Sequence, residues 1–165
     1  MVTARRLAAA CAVLAVGWGL WYAFPTRARQ VKRVFKALSS AAEKDGPEGA
    51  VVMAAAARKI STFFAPECRV EAEAYRLSGT VSREDVMRYA FAARERARVS
   101  SLRFYDLRVV FGPEGDAVAE ATVRLEGTSE AGDSWREVHE IRCVLRKADG
   151  EWVFAEVVLV DVLER

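Results

Sequence analysis

Five side chains of this sequence belong to types that carry out acid–base chemistry: Tyr75, Tyr105, Glu137, His139 and Glu156. Burial in an apolar cavity raises the pKa of a carboxyl group and lowers that of an imidazole, which brings both towards neutrality. Glu137 or Glu156 could then act as a base, while His139 or a tyrosine polarises a substrate carbonyl. The alternative interpretation, which we favour, is structural: Glu156 pairs with an arginine, Glu137 and His139 satisfy each other or water, and the tyrosines are core residues with wet hydroxyls.

Most other chemistries are excluded by residue type. One histidine and the scattered Cys68 and Cys143 do not make a zinc or iron site, so we expect neither a metal nor a cofactor. The sequence contains no GxSxG nucleophile elbow, no phosphate-binding glycine loop and no dinucleotide fingerprint. Cys68 and Cys143 are the one pair available for a disulfide in the polar part of the chain, and the sequence leaves their pairing open.

The predicted strands decide which side chains share a face, because successive residues of a strand point to opposite sides of a sheet. Three inner faces are expected, and they consist of Trp135, Glu137, His139, Ile141, Cys143 and Leu145; of Tyr105, Leu107, Val109 and Phe111; and of Trp152, Phe154, Glu156, Val158 and Val160. The sequence therefore predicts that Tyr105, Glu137, His139 and Glu156 line one apolar pocket, with Tyr75 as a further candidate.

Helices are predicted ahead of the long strands. The first has an apolar stripe at helical spacing, which consists of Val31, Val34, Phe35, Leu38 and Ala41. The second is rich in alanine, runs from about Gly49 to Phe64 and ends before Pro66.

A third helix is predicted to start at Ser82, where Asp85 three residues later makes an acidic version of the capping box. Its apolar face is expected to consist of Val86, Tyr89, Ala90, Ala93 and Ala97. Arg94 is expected on another face of this helix.

Extended segments complete the predicted fold. A short one covers Cys68 to Leu77 and ends in a Ser78-Gly79 turn. Long strands are predicted at Leu102–Phe111, Ala117–Thr128, Ser134–Lys147 and from Glu151 to about Leu163, with a tight hairpin at Asp149-Gly150. Three helices followed by a meander of strands predict an α+β fold in which helices pack on one face of a curved antiparallel sheet.

This order of elements resembles the nuclear-transport-factor-2-like superfamily, the SnoaL- or cystatin-like cone fold. The resemblance rests on the terminal DGEWVF hairpin at residues 149–154 and on LSGTVSRE at residues 77–84, and it covers about Arg29 to Glu164. It implies a cone-shaped pocket and dimers formed through the sheet. Members of the superfamily include steroid isomerases and polyketide cyclases, and also binding or scaffold modules such as membrane-anchored periplasmic subunits of secretion machines.

The stretch from Leu7 to Phe24 has no charged residue and is just long enough to cross a hydrocarbon core of roughly 30 Å as a helix. We expect residues 1–25 to be a retained single-pass anchor and residues 26–165 to be one domain, because Trp18, Trp21 and Tyr22 suit a membrane interface. A cleaved signal peptide is the alternative, with Thr26-Arg27-Ala28 as its cleavage site. Too little apolar sequence precedes Cys11 for a lipoprotein signal.

The formal net charge is only +2, and from Ala37 onward acidic residues outnumber basic ones. This balance argues against nucleic acid as a partner. The basic residues cluster just after the apolar stretch, as Arg27, Arg29, Lys32, Arg33 and Lys36. They either bind anionic lipid headgroups or form the solvated face of the first helix. Arg5 and Arg6 argue for a cytoplasmic N-terminus and this cluster for the reverse, and we expect a periplasmic domain.

These observations predict a membrane-anchored bacterial binding or assembly module without catalytic activity. Its partner could be a second copy, paired through Val138 and Val144 on the outer face of the sheet. A small-molecule enzyme of the isomerase or cyclase kind is the alternative, and a carrier of a hydrophobic ligand is the third hypothesis.

Overall fold

The computed structural model describes residues 26–72 and 77–160. Helices and strands follow one another in this part of the chain as α1 (Arg27–Ala42), α2 (Ala50–Thr62), β1 (Phe64–Ala72), β2 (Leu77–Ser82), α3 (Arg83–Arg96), β3 (Ala97–Phe111), β4 (Ala117–Ser129), β5 (Ser134–Ala148) and β6 (Glu151–Val160). The strands form one sheet in the order β2-β1-β6-β5-β4-β3. The α+β class and the three helices are therefore confirmed, whereas Leu7–Phe24 and Tyr75 lie outside the described residues.

The sheet is mixed, although an antiparallel sheet was expected. Strands β3 to β6 form the predicted antiparallel meander, and Asp149 and Gly150 close its last hairpin with φ of 52° and 85°. Both values are positive, as the tight two-residue hairpin turn requires. Strand β1 pairs with β6 in parallel. No hairpin joins these two strands, so nothing in the connection forces them to run in opposite directions.

The second correction concerns the segment around β2. Ser78 and Gly79, predicted as a turn, lie inside β2 and pair with Glu71 and Val70 of β1. Pairing with a neighbouring strand has overridden their preference for turns. Strand β1 likewise begins earlier than expected, at Phe64, and includes Pro66.

Helix α1 lies on the concave face of the sheet. The predicted stripe is confirmed, because Val31, Phe35 and Leu38 are buried together with Ala41. The ring of Phe35 meets those of Phe104 and Phe154 edge to face, with centroids 4.9 and 5.0 Å away. Edge-to-face pairs add to the stabilisation that burial itself provides. This aromatic contact fixes the helix across the sheet from β6 to the edge strand β3.

Helix α3 begins as predicted, and its predicted apolar face is confirmed in part. The capping box is present: Asp85 N–H donates to Ser82 Oγ at 3.1 Å, and Ser82 N–H donates to the Asp85 carboxylate at 3.0 Å. Val86 and Ala90 pack against the core, as their spacing predicted. Tyr89 is 53% exposed, however, and Arg94, which was expected on another face, is only 5% exposed. Hydrophobic spacing did not predict these two positions, because it does not represent a buried charged side chain.

Arg94 and Lys44 hold the carboxyl ends of two helices together. The Arg94 guanidinium forms an ion pair with Glu48, with 2.7 Å between Nη2 and Oε1, and donates to the carbonyl oxygens of Ala41 and Glu43, both at 3.1 Å, at the end of α1. Lys44 Nζ donates to the carbonyl oxygen of Arg94 at 2.8 Å and to the carbonyl oxygen of Ala97, the first residue after α3. Each cation therefore satisfies carbonyl groups that the other helix leaves unpaired, at the end of the helix where positive charge is favoured.

Two β-bulges reverse the alternation of side chains along β3 and β6. In β3, Tyr105 pairs with Thr122 and Arg108 with Glu120, so two residues oppose one, and Asp106 has φ of 53°. In β6, Phe154 pairs with Leu145 and Glu156 with Val144, which leaves Ala155 as an extra residue. Each extra residue shifts the following side chains to the other face.

The bulges correct two of the predicted inner faces. Tyr105 lies on the convex face, because the bulge follows it and only Leu107, Val109 and Phe111 continue inward. Glu156 lies on the convex face too, since Val157, opposite Cys143, takes the inward position. Strict alternation cannot reveal either change, because it assumes that no residue is inserted.

The Arg94 network predicts a large loss of stability on truncation. Arg94→Ala leaves the Glu48 carboxylate and two carbonyl groups without their buried donor, which should lower the free energy of unfolding by about 3 to 5 kcal/mol. Arg88→Ala is the matched control, because its ion pair with Asp85 is exposed and should be worth less than about 1 kcal/mol. Urea unfolding of both variants measures the difference, and equal losses would contradict the structural role of Arg94.

Because of the β6 bulge, we expect substitution by aspartate to destabilise the fold strongly at Val157 and only weakly at Val158. Val157→Asp puts a carboxylate on the concave face and should cost about 3 kcal/mol or more of unfolding free energy, since an unpaired buried charge is poorly solvated. Val158→Asp, on the convex face, should cost less than about 1 kcal/mol. Chemical unfolding of the two variants tests the register directly. A larger loss of unfolding free energy for Val158→Asp than for Val157→Asp would contradict the bulge and indicate regular alternation along β6.

Candidate ligand pocket

A cavity of about 710 Å³ lies between the concave face of the sheet and the helices. Its inner part is apolar and is formed by Phe104, Val123, Ile141, Phe154, Val157 and Leu159. Its polar side chains come from the ends of α3 and β4 and from the first half of β5, as Arg96, Ser129, Glu137 and His139. A volume of this size is in the range that accommodates a drug-sized organic molecule.

Strand β5 sets the depth of the cavity. The Glu137 side chain is 44% exposed and that of His139 is 19% exposed, whereas Cys143, further along the same face, is 1% exposed. Polar residues thus occupy the positions nearest the β4–β5 turn, and apolar residues occupy the deeper ones. A ligand that enters from this end meets polar groups first and an apolar interior afterwards.

Glu137 and His139 form the polar pair of the pocket. They lie two residues apart on β5, on the same face, with 3.5 Å between Glu137 Oε2 and His139 Nε2. This separation is at the long limit of a hydrogen bond. The pair can accept or donate a proton at the mouth of the cavity, and it can also bind the polar end of a ligand.

Trp135 shapes the mouth of the pocket. It pairs with Gly127 of β4, and its ring lies so close that a Cβ on Gly127 would stand 2.8 Å from Trp135 Cζ2. The same Cβ would stand 2.4 Å from the carbonyl oxygen of Val99. Glycine is therefore the residue that lets the indole ring fold across the strand. Trp135 remains 36% exposed there, beside the opening.

The structure brings together two of the five residues singled out in the sequence. Glu137 and His139 line the cavity. Tyr105 is on the convex face, 40% exposed, with the Arg124 guanidinium 5.0 Å from its ring centroid. Glu156 is on that face as well, where it pairs in register with Arg69 and helps to raise the pKa of Arg69, after the larger effect of Glu71.

Several pocket residues were not recognised from the sequence. Val157 and Leu159 escaped because the β6 bulge reverses their expected orientation. Arg96 escaped because a basic residue at the end of an amphipathic helix carries no sign of facing a cavity. Trp135 was placed on the correct face by alternation, and the glycine within the neighbouring strand, Gly127, was the signal in the sequence for a close contact there.

Cys68 and Cys143 are free, buried thiols. Strand β6 lies between their strands, so their Cα atoms are at least about 9 Å apart, beyond the reach of a disulfide. Burial raises the pKa of Cys143 to about 12 and that of Cys68 to about 11, from an ordinary value of 9.0. Neither thiol is available as a nucleophile in the folded protein. Within residues 26–72 and 77–160, no cluster of His, Cys, Asp and Glu could hold a metal ion.

Comparison with known proteins identifies the fold. No protein-family model matches the chain, and no curated protein matches it in sequence. The Kfla4162 protein of Kribbella flavida matches with a TM-score of 0.67 at 15% identity, over 82% of this chain and 90% of that one. A candidate scytalone dehydratase of Novosphingobium aromaticivorans matches with a TM-score of 0.65 at 16% identity, over 79% and 80% of the two chains.

Aln2 from a Streptomyces species is similar too, with a TM-score of 0.63 at 13% identity over 82% of this chain and 91% of that one. At these identities the likeness concerns the fold. The described part of the chain therefore has the nuclear-transport-factor-2-like cone fold that its sequence resembles, and the chemistry of its pocket must be argued from its own residues.

Cys143 lies at the bottom of the cavity, and we expect its thiol to react very slowly with alkylating reagents. At pH 8 the raised pKa of Cys143 lowers its thiolate fraction about a thousand-fold relative to an ordinary thiol, and reactivity should rise only as the pH increases further. We expect Cys143 and Cys68, in a Cys11→Ser chain, to react with iodoacetamide mainly after unfolding in urea. Mass spectrometry of peptides measures both rates. Rapid labelling of Cys143 in the folded chain would contradict its burial.

Proposed function

We propose that this chain is a membrane-anchored, non-catalytic binding module that holds a hydrophobic small molecule in the pocket. The observation that carries the proposal is an open cavity of about 710 Å³ whose deep wall is apolar. Filling such a cavity removes apolar surface of both partners from water, which is favourable by about 25 cal/mol per Å². The pocket is preformed between rigid elements, so binding requires little ordering of the protein.

The distribution of polar groups indicates the chemical class of the ligand. Glu137, His139 and Arg96 lie at the open end, and the side chains opposite Ile141 and Cys143 are apolar. A molecule with a flat or branched hydrocarbon body and one polar end fits this arrangement. The polar end would remain near Glu137 and His139, where water also has access.

Binding without transformation is favoured by what the pocket contains. An enzyme of the isomerase or cyclase kind needs an acid and a base aimed at one substrate atom. Tyr105 and Glu156, which the sequence offered for these roles, lie on the convex face. The loosely spaced Glu137–His139 pair is the observation that favours the enzymatic alternative, and it supplies one proton-transfer group at the mouth.

The membrane anchor belongs to the proposal as well. It is supported by the uncharged stretch Leu7–Phe24 and its aromatic end, which fall outside the described residues. Among the helices of residues 26–72 and 77–160, none combines the length and the apolar character that a membrane span needs. We propose a single-pass protein whose pocket domain lies in the periplasm.

Assembly through the sheet is the second candidate function. The convex face exposes Val110 (68%), Val138 (56%) and Val160 (43%). Isolated exposed valines are ordinary, but three on one sheet face offer an apolar surface to a second copy. Val144, which the sequence placed on this surface together with Val138, is half-buried.

A pair of tryptophan substitutions tests the pocket. Leu159→Trp fills the cavity and should abolish retention of a hydrophobic molecule, whereas Val160→Trp, on the next residue and the opposite face, should leave retention unchanged. The full chain in detergent is exposed to a lipid extract of its source cells and analysed by native mass spectrometry. We expect one additional mass on the unmodified chain and on Val160→Trp.

The same spectra distinguish the alternatives. Retention by Leu159→Trp would place the molecule outside the pocket and contradict the proposal, and so would a chain that retains nothing. A molecule released with altered mass would favour the enzyme. A dimer that Val160→Trp disrupts would favour assembly through the convex face.

A further inference from the structure

The outward face of α1 carries a cluster of basic side chains. Arg29, Lys32, Arg33 and Lys36 are exposed on the side opposite the buried stripe of this helix, and we name this set the α1 basic face. Neither α1 nor α2 contains an aspartate or a glutamate. All charged side chains of these two helices are therefore positive.

Several side chains of the α1 basic face lack a carboxylate partner, whereas many arginines elsewhere in the described part of the domain have one. On other surfaces arginines pair with carboxylates, for example Arg69 with Glu71, Arg103 with Glu43 and Arg146 with Asp116. Among the described residues, Lys32, Arg33 and Lys36 form no such ion pair. Like charges four residues apart, such as Lys32 and Lys36, repel each other along a helix. An anionic partner would remove that repulsion.

Neighbouring elements extend the positive surface. Arg33 and Lys147, which comes from the end of β5, line one groove beside α1. Lys32 and Lys36 line a second groove on the other side of the helix, whose third basic residue, Arg103, is paired with Glu43. The charge is thus spread over a broad surface and does not converge on a point, which suits an extended anionic partner better than a single small ion.

We propose that the α1 basic face docks on an anionic phospholipid surface. The chain itself favours lipid over nucleic acid: the uncharged stretch Leu7–Phe24 ends three residues before α1, and the outward face of α1 holds no aromatic side chain for stacking on bases. Because α1 packs on the concave side of the sheet, this docking turns the convex face away from the bilayer. It does not depend on the occupancy of the pocket.

Contact quenching tests the proposal on the full chain. A nitrobenzoxadiazole label is attached at Ser40→Cys, which is exposed and one turn beyond Lys36, or at Val138→Cys on the convex face, with Cys11→Ser in both. Vesicles contain a nitroxide headgroup lipid in phosphatidylcholine alone or with about 30% phosphatidylglycerol. We expect strong quenching of the Ser40 label with phosphatidylglycerol, and weak quenching of the Val138 label.

Charge reversal supplies the matched variants. Each basic residue is worth about five-fold in partitioning, so Lys32→Glu with Lys36→Glu should weaken docking by about 25-fold or more and remove most quenching of the Ser40 label. About 0.5 M NaCl should also lower the quenching. Arg108→Glu with Arg142→Glu, two exposed positions on the convex strands, should have no such effect. Circular dichroism confirms that each variant is folded.

Three results would overturn the proposal. The first is equal quenching of the Ser40 label without phosphatidylglycerol, and the second is quenching that survives reversal of Lys32 and Lys36. The third combines two measurements on the variant with both Lys32→Glu and Lys36→Glu: it no longer binds a single-stranded RNA that the unmodified chain binds, and its lipid quenching is unchanged. That result would assign the α1 basic face to nucleic acid.

Discussion

A sheet that wraps around a cavity must bend, and a regular ladder of hydrogen bonds resists bending. Two bulges relieve this constraint. In β3, Asp106 and Leu107 lie opposite one residue of β4, and in β6, Ala155 is an extra residue, so each strand can bend more sharply than its neighbour. They also decide which side chains face inward. The inward positions of Val157 and Leu159 in the pocket wall and the outward position of Glu156 follow from the insertion in β6, and the inward positions of Leu107, Val109 and Phe111 fit the insertion in β3.

The helices complete the enclosure through charge as much as through apolar contact. Phe35 fixes α1 to Phe104 and Phe154, but the ends of α1 and α3 meet through Arg94, Lys44 and Glu48. Two cations are buried there beside a partly buried carboxylate, and helix carbonyl groups supply the remaining partners. Such a network contributes little net stability when compared with apolar packing, but it tolerates only one arrangement of the helices. It therefore fixes the frame in which the pocket remains open.

Much of the architecture was predictable from local chemistry. The capping box at Ser82, the Asp149-Gly150 hairpin and the stripe on α1 are each specified by a few neighbouring residues, and each was found from the sequence. The pairing of β1 with β6 was not, because it joins strands that are distant in sequence and has no turn to indicate it.

The site was predictable only where the strand is regular. Glu137 and His139 lie in the uninterrupted β5, and alternation placed them correctly on the concave face. Tyr105 and Glu156 adjoin bulges, which sequence periodicity does not reveal, and Arg94 is buried by interactions that a hydrophobic pattern cannot represent. The acid–base set suggested by the sequence is thus separated, and a mainly apolar pocket with one polar pair remains.

Xenon binding observed by methyl NMR tests the central claim, that the bulged sheet encloses an open apolar cavity. Xenon enters empty apolar cavities and perturbs the methyl groups that line them. The account predicts shifts for Ile141, Val157 and Leu159, and none for Val158 or Val144 on the convex face. Unperturbed inner methyl groups, or shifts at Val158 in place of Val157, would contradict it.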